Sequence, residues 1–450
     1  MPDFEHRTEV QATAADAFRW HERPGAFVRL SPPWDRVEIV SQHGGIEDGG
    51  RLSLKIGAGP LTFPWVAVHQ RYEEGRRFVD FQETGPFAQW VHEHEFSDTG
   101  PGRSVVIDRI DYLLPFGAAG RLAFESLTRA RLTKMFRYRA AVLAGDIVRH
   151  APYKDRPPLR VAITGSSGML GRQLAAFLTT GGHEVWRVVR NRKPAEGEIP
   201  WNIATGRIDH EALEGLDAIV HLSGANLATR WTPEHKAEIE RSRVASTQLL
   251  AGAVAVLRQP PKVFLSASAV GYYGDRGAKR VDETSSAGTG FLSEVAKKWE
   301  AATEPAAAAG VRTVNLRFGI ILSARGGALA KMLPAFKLCA GGPVGTGDQV
   351  FSWIGLDDAI YAIHHLIRTE SVRGPVNVVA PGALPQREFA RELGRVLGRP
   401  AVVPLPAFAV RALFGQMGEE TLLSGQFVEP GVLRRSGFSW DLPLGEAFTR

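Results

Sequence analysis

Apolar and polar positions alternate differently in the two halves of the chain. Residues 37–40, 51–56, 65–72, 76–82, 90–96 and 104–113 are short runs rich in β-branched and aromatic side chains, broken by Gly, Pro and Asp turns. That spacing predicts an antiparallel sheet. From Phe124 to Arg149 the apolar residues Leu132, Met135, Phe136, Leu143 and Ile147 share one stripe and arginines take the other face, as in an amphipathic helix. A sheet that wraps such a helix encloses either a packed core or a cavity. Three prolines and alternating charges in APYKDRPP, Ala151 to Pro158, then read as a linker. Beyond it, strand-like runs (160–164, 184–189, 218–222, 262–267, 313–318) alternate with helix-like ones (170–179, 233–257, 291–309), which predicts a parallel sheet covered on both faces.

Length and composition narrow the reading. A chain of 450 residues exceeds one ordinary core, so we expect domains at 1–150 and 159–398, joined by a linker at 151–158, with a small domain at 399–450. Hydrophobic residues at 44% and charged ones at 23% argue against disorder. The net charge of +6 is spread as scattered arginines, without the concentrated block that nucleic-acid binding needs. No apolar run reaches the roughly 18 residues of a membrane span. The first ten residues, MPDFEHRTEV, are acidic and polar where a secretory signal is basic and then apolar, so a cytoplasmic protein is expected. One cysteine, Cys339, rules out an internal disulfide. The sequence leaves a homodimer open.

The clearest chemistry lies in RVAITGSSGMLG, an apolar strand running through Thr164, Gly165, Ser166, Ser167, Gly168, Met169, Leu170 and Gly171 into a helix. With a strand before and a helix after, the glycines read as a dinucleotide fingerprint. Gly165 permits the turn, Gly168 lets backbone approach a pyrophosphate, and Gly171 lets helix and strand pack closely. Phosphates then meet unpaired amides at the helix N-terminus. The next strand ends in Arg190, Asn191, Arg192 and Lys193, where NAD-specific folds carry a carboxylate for the ribose 2′-hydroxyl; a basic tip pairs with a 2′-phosphate and favours NADP(H) over NAD(H). Leu222, Ser223, Gly224 and Ala225 end a third strand with residues small enough for cofactor to pass over the sheet edge. In the N-terminal half, His92 and His94 lie two apart on a strand and so face one side, a polar spot in a ligand cavity or a pair of core histidines. As a metal pair they need a third ligand that the sequence does not place, and no metal site is assigned.

The segments TGSSGMLG, HLSGAN, SRVASTQLL, SASAVGYYG, LRFGIIL, GGPVGTGDQVFSWIGLDD and GPVNVVAP together resemble the extended short-chain dehydrogenase/reductase superfamily, in an atypical epimerase-family branch with a small C-terminal domain. The order of elements over residues 3–148 and the strand FAQWVHEHEF resemble the START-like helix-grip proteins (SRPBCC, polyketide cyclase-like), binders of hydrophobic ligands. These resemblances imply an α/β Rossmann domain, a doubly wound parallel sheet, preceded by an α+β helix-grip domain. In typical members a Ser or Thr polarises the substrate oxygen, a Tyr moves the proton, and a Lys four residues later lowers the Tyr pKa and holds the nicotinamide ribose. Ser268 matches the serine. The tyrosine is missing from FLSEVAKKWE, where Ser293 and Lys297 keep the four-residue spacing; Tyr272 and Tyr273 are either the phenols at hand or packed aromatics of the YYG turn, and Lys297 or Lys298 either touches the ribose or lies on a solvated helix face. Arg317, opening a strand, is a candidate for a substrate anion or an ion pair, and Asp357 and Asp358 are expected to cap the following helix. Three functions remain: an NADP(H)-dependent oxidoreductase or epimerase with a small or hydrophobic substrate, a nucleotide-binding sensor or scaffold without chemistry, and a carrier of lipophilic ligands.

Overall fold

The structure is a computed structural model and describes residues 4–58, 61–190 and 193–450. Its contacts divide the chain into two compact units, Met1–Pro158 with Ala176–His183, and Leu159–Ala175 with Glu184–Arg450.

In the first unit β1 (Phe4–Val10) is followed by helices α1 (Ala14–Glu22) and α2 (Ala26–Leu30). Strands β2 (Arg36–His43), β3 (Arg51–Ala58), β4 (Leu61–Glu73), β5 (Arg77–Thr84), β6 (Gln89–Gly100) and β7 (Arg103–Leu113) come next, and then the 34-residue α3 (Gly117–His150). All seven strands form one antiparallel sheet in the order β1-β7-β6-β5-β4-β3-β2. Strict alternation along β6 turns Trp90, His92, His94 and Phe96 to the buried face. The stripe Leu132, Phe136, Leu143 and Ile147 buries α3 in the same core. This is the helix-grip arrangement. The helix starts seven residues before Phe124, and those first turns leave Leu122 and Phe124 exposed.

In the second unit β8 (Arg160–Thr164), α4 (Met169–Thr180, whose last five residues count with the first unit), β9 (Glu184–Arg190), the short β10 (Glu198–Asn202) and β11 (Arg207–Ile208), and β12 (Ala218–His221) open the chain. They are followed by α5 (Pro233–Ala255), β13 (Val263–Ala269), β14 (Arg280–Val281), α6 (Phe291–Ala301), α7 (Glu304–Ala308) and β15 (Arg312–Phe318). Further on lie β16 (Ile320–Leu322), α8 (Gly327–Lys337), β17 (Val350–Phe351), β18 (Trp353–Gly355), α9 (Leu356–Arg368) and β19 (Gly374–Val378). The main sheet runs β11-β10-β9-β8-β12-β13-β15-β19 and is parallel except for β10 against β11, a doubly wound Rossmann sheet. Strands β8, β12 and β13 are apolar and buried almost throughout, because helices cover both of their faces. The single helix expected over 291–309 is two, since Pro305 at the start of α7 supplies no amide to continue α6.

Candidate functional site

Topology decides where the site lies. From β8 the chain steps outward to β9, β10 and β11, then returns to the other side of β8 as β12. At that reversal the carboxyl ends of β8 and β12 border a crevice, the place where open α/β sheets take ligands. A cleft of about 400 Å³ opens here. It is lined by Gly165, Ser166 and Ser167 after β8, Ser223 after β12, Arg187 to Arg190 on β9, and Glu198 and Trp201 on β10.

Thr164, the buried last residue of β8, ties the two loops together. Its Oγ1 accepts from the amides of Leu222 and Ser223 at 3.0 and 3.2 Å and lies 2.7 Å from Nδ1 of His221. Nε2 of His221 is 3.1 Å from the Ser246 hydroxyl, which donates to the Ser242 carbonyl at 2.7 Å. Burial lowers the His221 pKa to about 3, so the ring is neutral and has one donor and one acceptor. With the Ser246 proton committed to α5, Nε2 donates and Nδ1 accepts from Thr164, whose lone pairs are left for the two amides.

The glycines divide the work. Gly165 has φ +67°, and a Cβ there would stand 2.9 Å from the Leu222 carbonyl carbon. A Cβ on Gly171 would lie 2.4 Å from the Gly165 carbonyl oxygen, so α4 can pack this close to β8 only without one. At Gly168 a Cβ meets nothing closer than 3.2 Å. The amides of Ser166 and Ser167 donate to no acceptor among the described residues. Free amides, small residues and a helix N-terminus at Met169 and Leu170 fit a pyrophosphate. Across the cleft, Arg243 donates to the Ala225 carbonyl at 3.1 Å and Ser242 accepts the Ala225 amide at 3.0 Å, while a Cβ on Gly224 would press on the Arg243 guanidinium at 3.2 Å. On the outer lip Arg190 and Lys193 are exposed; Arg192 lies outside the described residues. Arg187 pairs at 2.9 Å with the buried Glu198, a carboxylate on β10 that the sequence reading did not single out.

At the same edge, after β13, the hydroxyl candidates gather around Arg317. Ser268 donates to Glu300 at 2.7 Å, and Arg317 grips both Glu300 oxygens at 2.7 and 2.8 Å. Arg317 also donates to the Tyr273 hydroxyl at 2.9 Å, which in turn donates to Asn377 at 2.7 Å. Burial pushes the Tyr273 phenol up to about 12, against the pull of Arg317. Burial opposes the Arg317 charge, yet Glu300 and Tyr273 outweigh it and hold the guanidinium above its usual range. The guanidinium carbon sits 3.5 Å from the centre of the Tyr272 ring. Tyr272 is half-buried, and its hydroxyl has no hydrogen-bond partner among the described residues. Lys297 stands apart from this group, its ammonium 2.6 Å from Glu294; Lys298 pairs with Glu240 at 2.7 Å, and Ser293 is spent on the Tyr272 carbonyl at 2.8 Å.

Two expectations are corrected. Arg317 closes β15 rather than opening a strand, and so reaches the carboxyl edge of the sheet. Asp357 and Asp358 are not the cap of α9: Gly355 holds that position, and Asp358 instead accepts the amides of Asp441 and Leu442 at 3.0 and 3.2 Å, stapling the C-terminal segment. Glu300 and Asn377 escaped the sequence reading, because no motif marks a partner 32 or 104 residues from its serine or tyrosine.

A glycine cradle at the switch point of a doubly wound sheet, with a serine and phenols at its carboxyl edge, defines a Rossmann-type nucleotide-dependent protein of the short-chain dehydrogenase/reductase kind. Residues 161–379 match the NAD dependent epimerase/dehydratase family, 405–447 a domain of unknown function, and 10–136 the polyketide cyclase / dehydrase and lipid transport family. An epimerase family protein of Mycobacterium leprae is 41% identical over 291 residues, 64% of this chain and 94% of that protein. The human epimerase family protein SDR39U1 is 37% identical over 294 residues, 64% of this chain and 98% of that one. The crystal structure of a nucleoside-diphosphate sugar epimerase from Corynebacterium glutamicum aligns with TM-score 0.81 and 33% identity over 99% of this chain and 89% of that one. Human SDR39U1, solved with NADPH, aligns with TM-score 0.59 and 36% identity over 65% of this chain and 98% of that one. The chain belongs to the NAD dependent epimerase/dehydratase family, joined to an N-terminal polyketide cyclase-like domain. No helix among the described residues is long and apolar enough to cross a membrane.

Proposed function

We propose that the protein is an NADP(H)-dependent oxidoreductase of the cytoplasm that acts on a small or hydrophobic carbonyl or alcohol. The observation that carries this reading is the cleft at the switch point, with free amides on one wall and Arg190 on its lip. Thr164 to Gly171 hold the pyrophosphate, Leu222 to Ala225 the face of the cofactor, and Arg190, Arg192 and Lys193 the 2′-phosphate. The NADPH in the human relative's structure supports the same choice of coenzyme. Bound there, the coenzyme supplies hydride transfer.

Within this reading Tyr272 moves the proton at the substrate oxygen, since its hydroxyl is free and its ring is fixed over Arg317. Ser268, aimed by Glu300, orients the substrate, and Lys297 serves the ribose. Tyr273, locked between Arg317 and Asn377, is a positioning residue. Residues 1–150 form the ligand-binding domain, 151–158 the linker, 159–398 the nucleotide domain and 399–450 the small C-terminal domain.

The test is NADPH oxidation by the purified chain across a panel of carbonyl compounds. Turnover that Tyr272→Phe removes while NADPH affinity is kept supports the reading. One observation favours a second reading, a sensor or scaffold: the Ser268 proton is already committed to Glu300, and a serine replaces the usual phenol on α6. NADPH binding without turnover on any member of the panel selects it. The carrier reading, supported by the match over residues 10–136, is tested by mass spectrometry of solvent extracts of the purified protein.

A further inference from the structure

The first unit holds a polar centre that nucleotide chemistry does not use. In the sheet register His69 on β4 pairs with Asp80 on β5, Asp80 with His92 on β6, and His94 with Asp108 on β7. All five side chains point to one face, so three imidazoles and two carboxylates meet in a box, with the buried His21 ring 6.1 Å from His94. Phe78 stacks on His94 with ring centres 4.2 Å apart, and Phe136 meets His92 edge-on at 5.6 Å. Among the described residues, only Asp80, His92 and His94 bring three candidate ligand atoms within 4.8 Å of one another.

The wiring is directional. Oδ2 of Asp80 is 3.3 Å from Nε2 of His94 and 3.7 Å from Nδ1 of His92. A tetrahedral ion with ligand distances of about 2.0–2.1 Å has edges of roughly 3.3–3.4 Å, close to both separations. The second nitrogen of each ring turns to the other carboxylate: Oδ1 of Asp108 lies 3.1 Å from Nε2 of His92 and 2.8 Å from Nδ1 of His94. On the far side of Asp80, Oδ1 is 2.7 Å from Nε2 of His69. Ligating histidines characteristically spend the other ring nitrogen on a carboxylate, and ligating carboxylates are themselves held. The contacts of His94 Nδ1 with Asp108 and of Asp80 Oδ1 with His69 are ion pairs, and they hold the two candidate ligands in place. Arg139, half-buried nearby, directs a positive charge toward the two carboxylates.

We propose that Asp80 Oδ2, His92 Nδ1 and His94 Nε2 bind a divalent transition-metal ion, zinc in the first place, with Asp108 and His69 as outer partners that orient the ligands. Two imidazoles and a carboxylate suit zinc and its first-row neighbours, and three protein ligands leave a position open for water or a ligand oxygen. The Asp80 side chain, 22% exposed against 5% and 7% for the histidines, is the side from which that position is reached.

Full-length protein stripped with a chelator and titrated with Co²⁺ tests the site. The expected result is one ion per chain, ligand-field bands of a four- or five-coordinate nitrogen and oxygen site, and their loss on addition of Zn²⁺. Asp80→Asn and His94→Ala, checked for folding by circular dichroism, weaken Co²⁺ binding at least tenfold, and Asp108→Asn weakens it about 10- to 100-fold. Wild-type protein that takes up no ion, or folded variants that bind as wild type does, overturn the proposal. Zinc X-ray absorption on the wild type decides the matter without any variant: a first shell lacking a pair of imidazoles also overturns it.

Discussion

At the residue scale, Asp358 of the second unit is a buried carboxyl held by backbone amides. Burial raises its pKa to about 7, despite the two amides it accepts. A carboxyl with a folded pKa above its unfolded value of about 3.9 binds a proton in the folded state that the unfolded chain releases. Its contribution is complete below about pH 4 and is lost as pH rises through 7, at roughly 1.4 kcal/mol per unit within that window. Asp358→Asn is therefore expected to flatten the fall in stability between about pH 4 and pH 7; urea midpoints that fall as steeply in variant and wild type contradict this. The Glu300–Arg317 pair supplies a second case. Glu300→Ala leaves a buried guanidinium without its carboxylate and should cost about 3–5 kcal/mol, whereas Glu300→Leu with Arg317→Met should cost less than the single change. Denaturant unfolding of the three proteins checks the order. The sequence pointed to Ser268, Tyr272, Tyr273 and Arg317 one by one, but not to the network, because the residues that close it, Glu300 and Asn377, come from separate elements and fit no local pattern.

Elements were legible to the degree that their local pattern matched their packing. Strands β8, β12 and β13 stand out as short apolar runs because both faces are buried, and β6 because its alternation is strict. The first turns of α3 did not, since Leu122 and Phe124 lie on an exposed face and the apolar stripe begins at Leu132. Strand β1 went unread: its polar residues alternate outward beside β7, and only the sheet supplies its partner. The glycine turn between β8 and α4 was readable because its requirements are local. Gly171→Ala should push α4 off β8, costing about 1–3 kcal/mol and weakening NADPH binding, because the new Cβ meets backbone. Gly168→Ala brings its Cβ to 3.2 Å from the same carbonyl oxygen, a milder contact than the 2.4 Å at Gly171, so stability should change less than in Gly171→Ala while NADPH affinity drops at least tenfold. Equal effects of the two changes on stability contradict this division of roles.

At the scale of the whole molecule, the sequence showed two bodies of different architecture, because the period of its apolar positions changes at the proline-rich segment. What it left open is chemical. In the proposed function the basic lip of the cleft distinguishes coenzymes through one phosphate, and the account stands on that distinction. The most direct measurement is a calorimetric titration of the wild-type chain and of Arg190→Glu with NADPH and with NADH. The account predicts one NADPH bound per chain, more tightly than NADH, and a loss in the variant that is large for NADPH and small for NADH. Absence of heat with either nucleotide, or an equal loss for both in the variant, contradicts it.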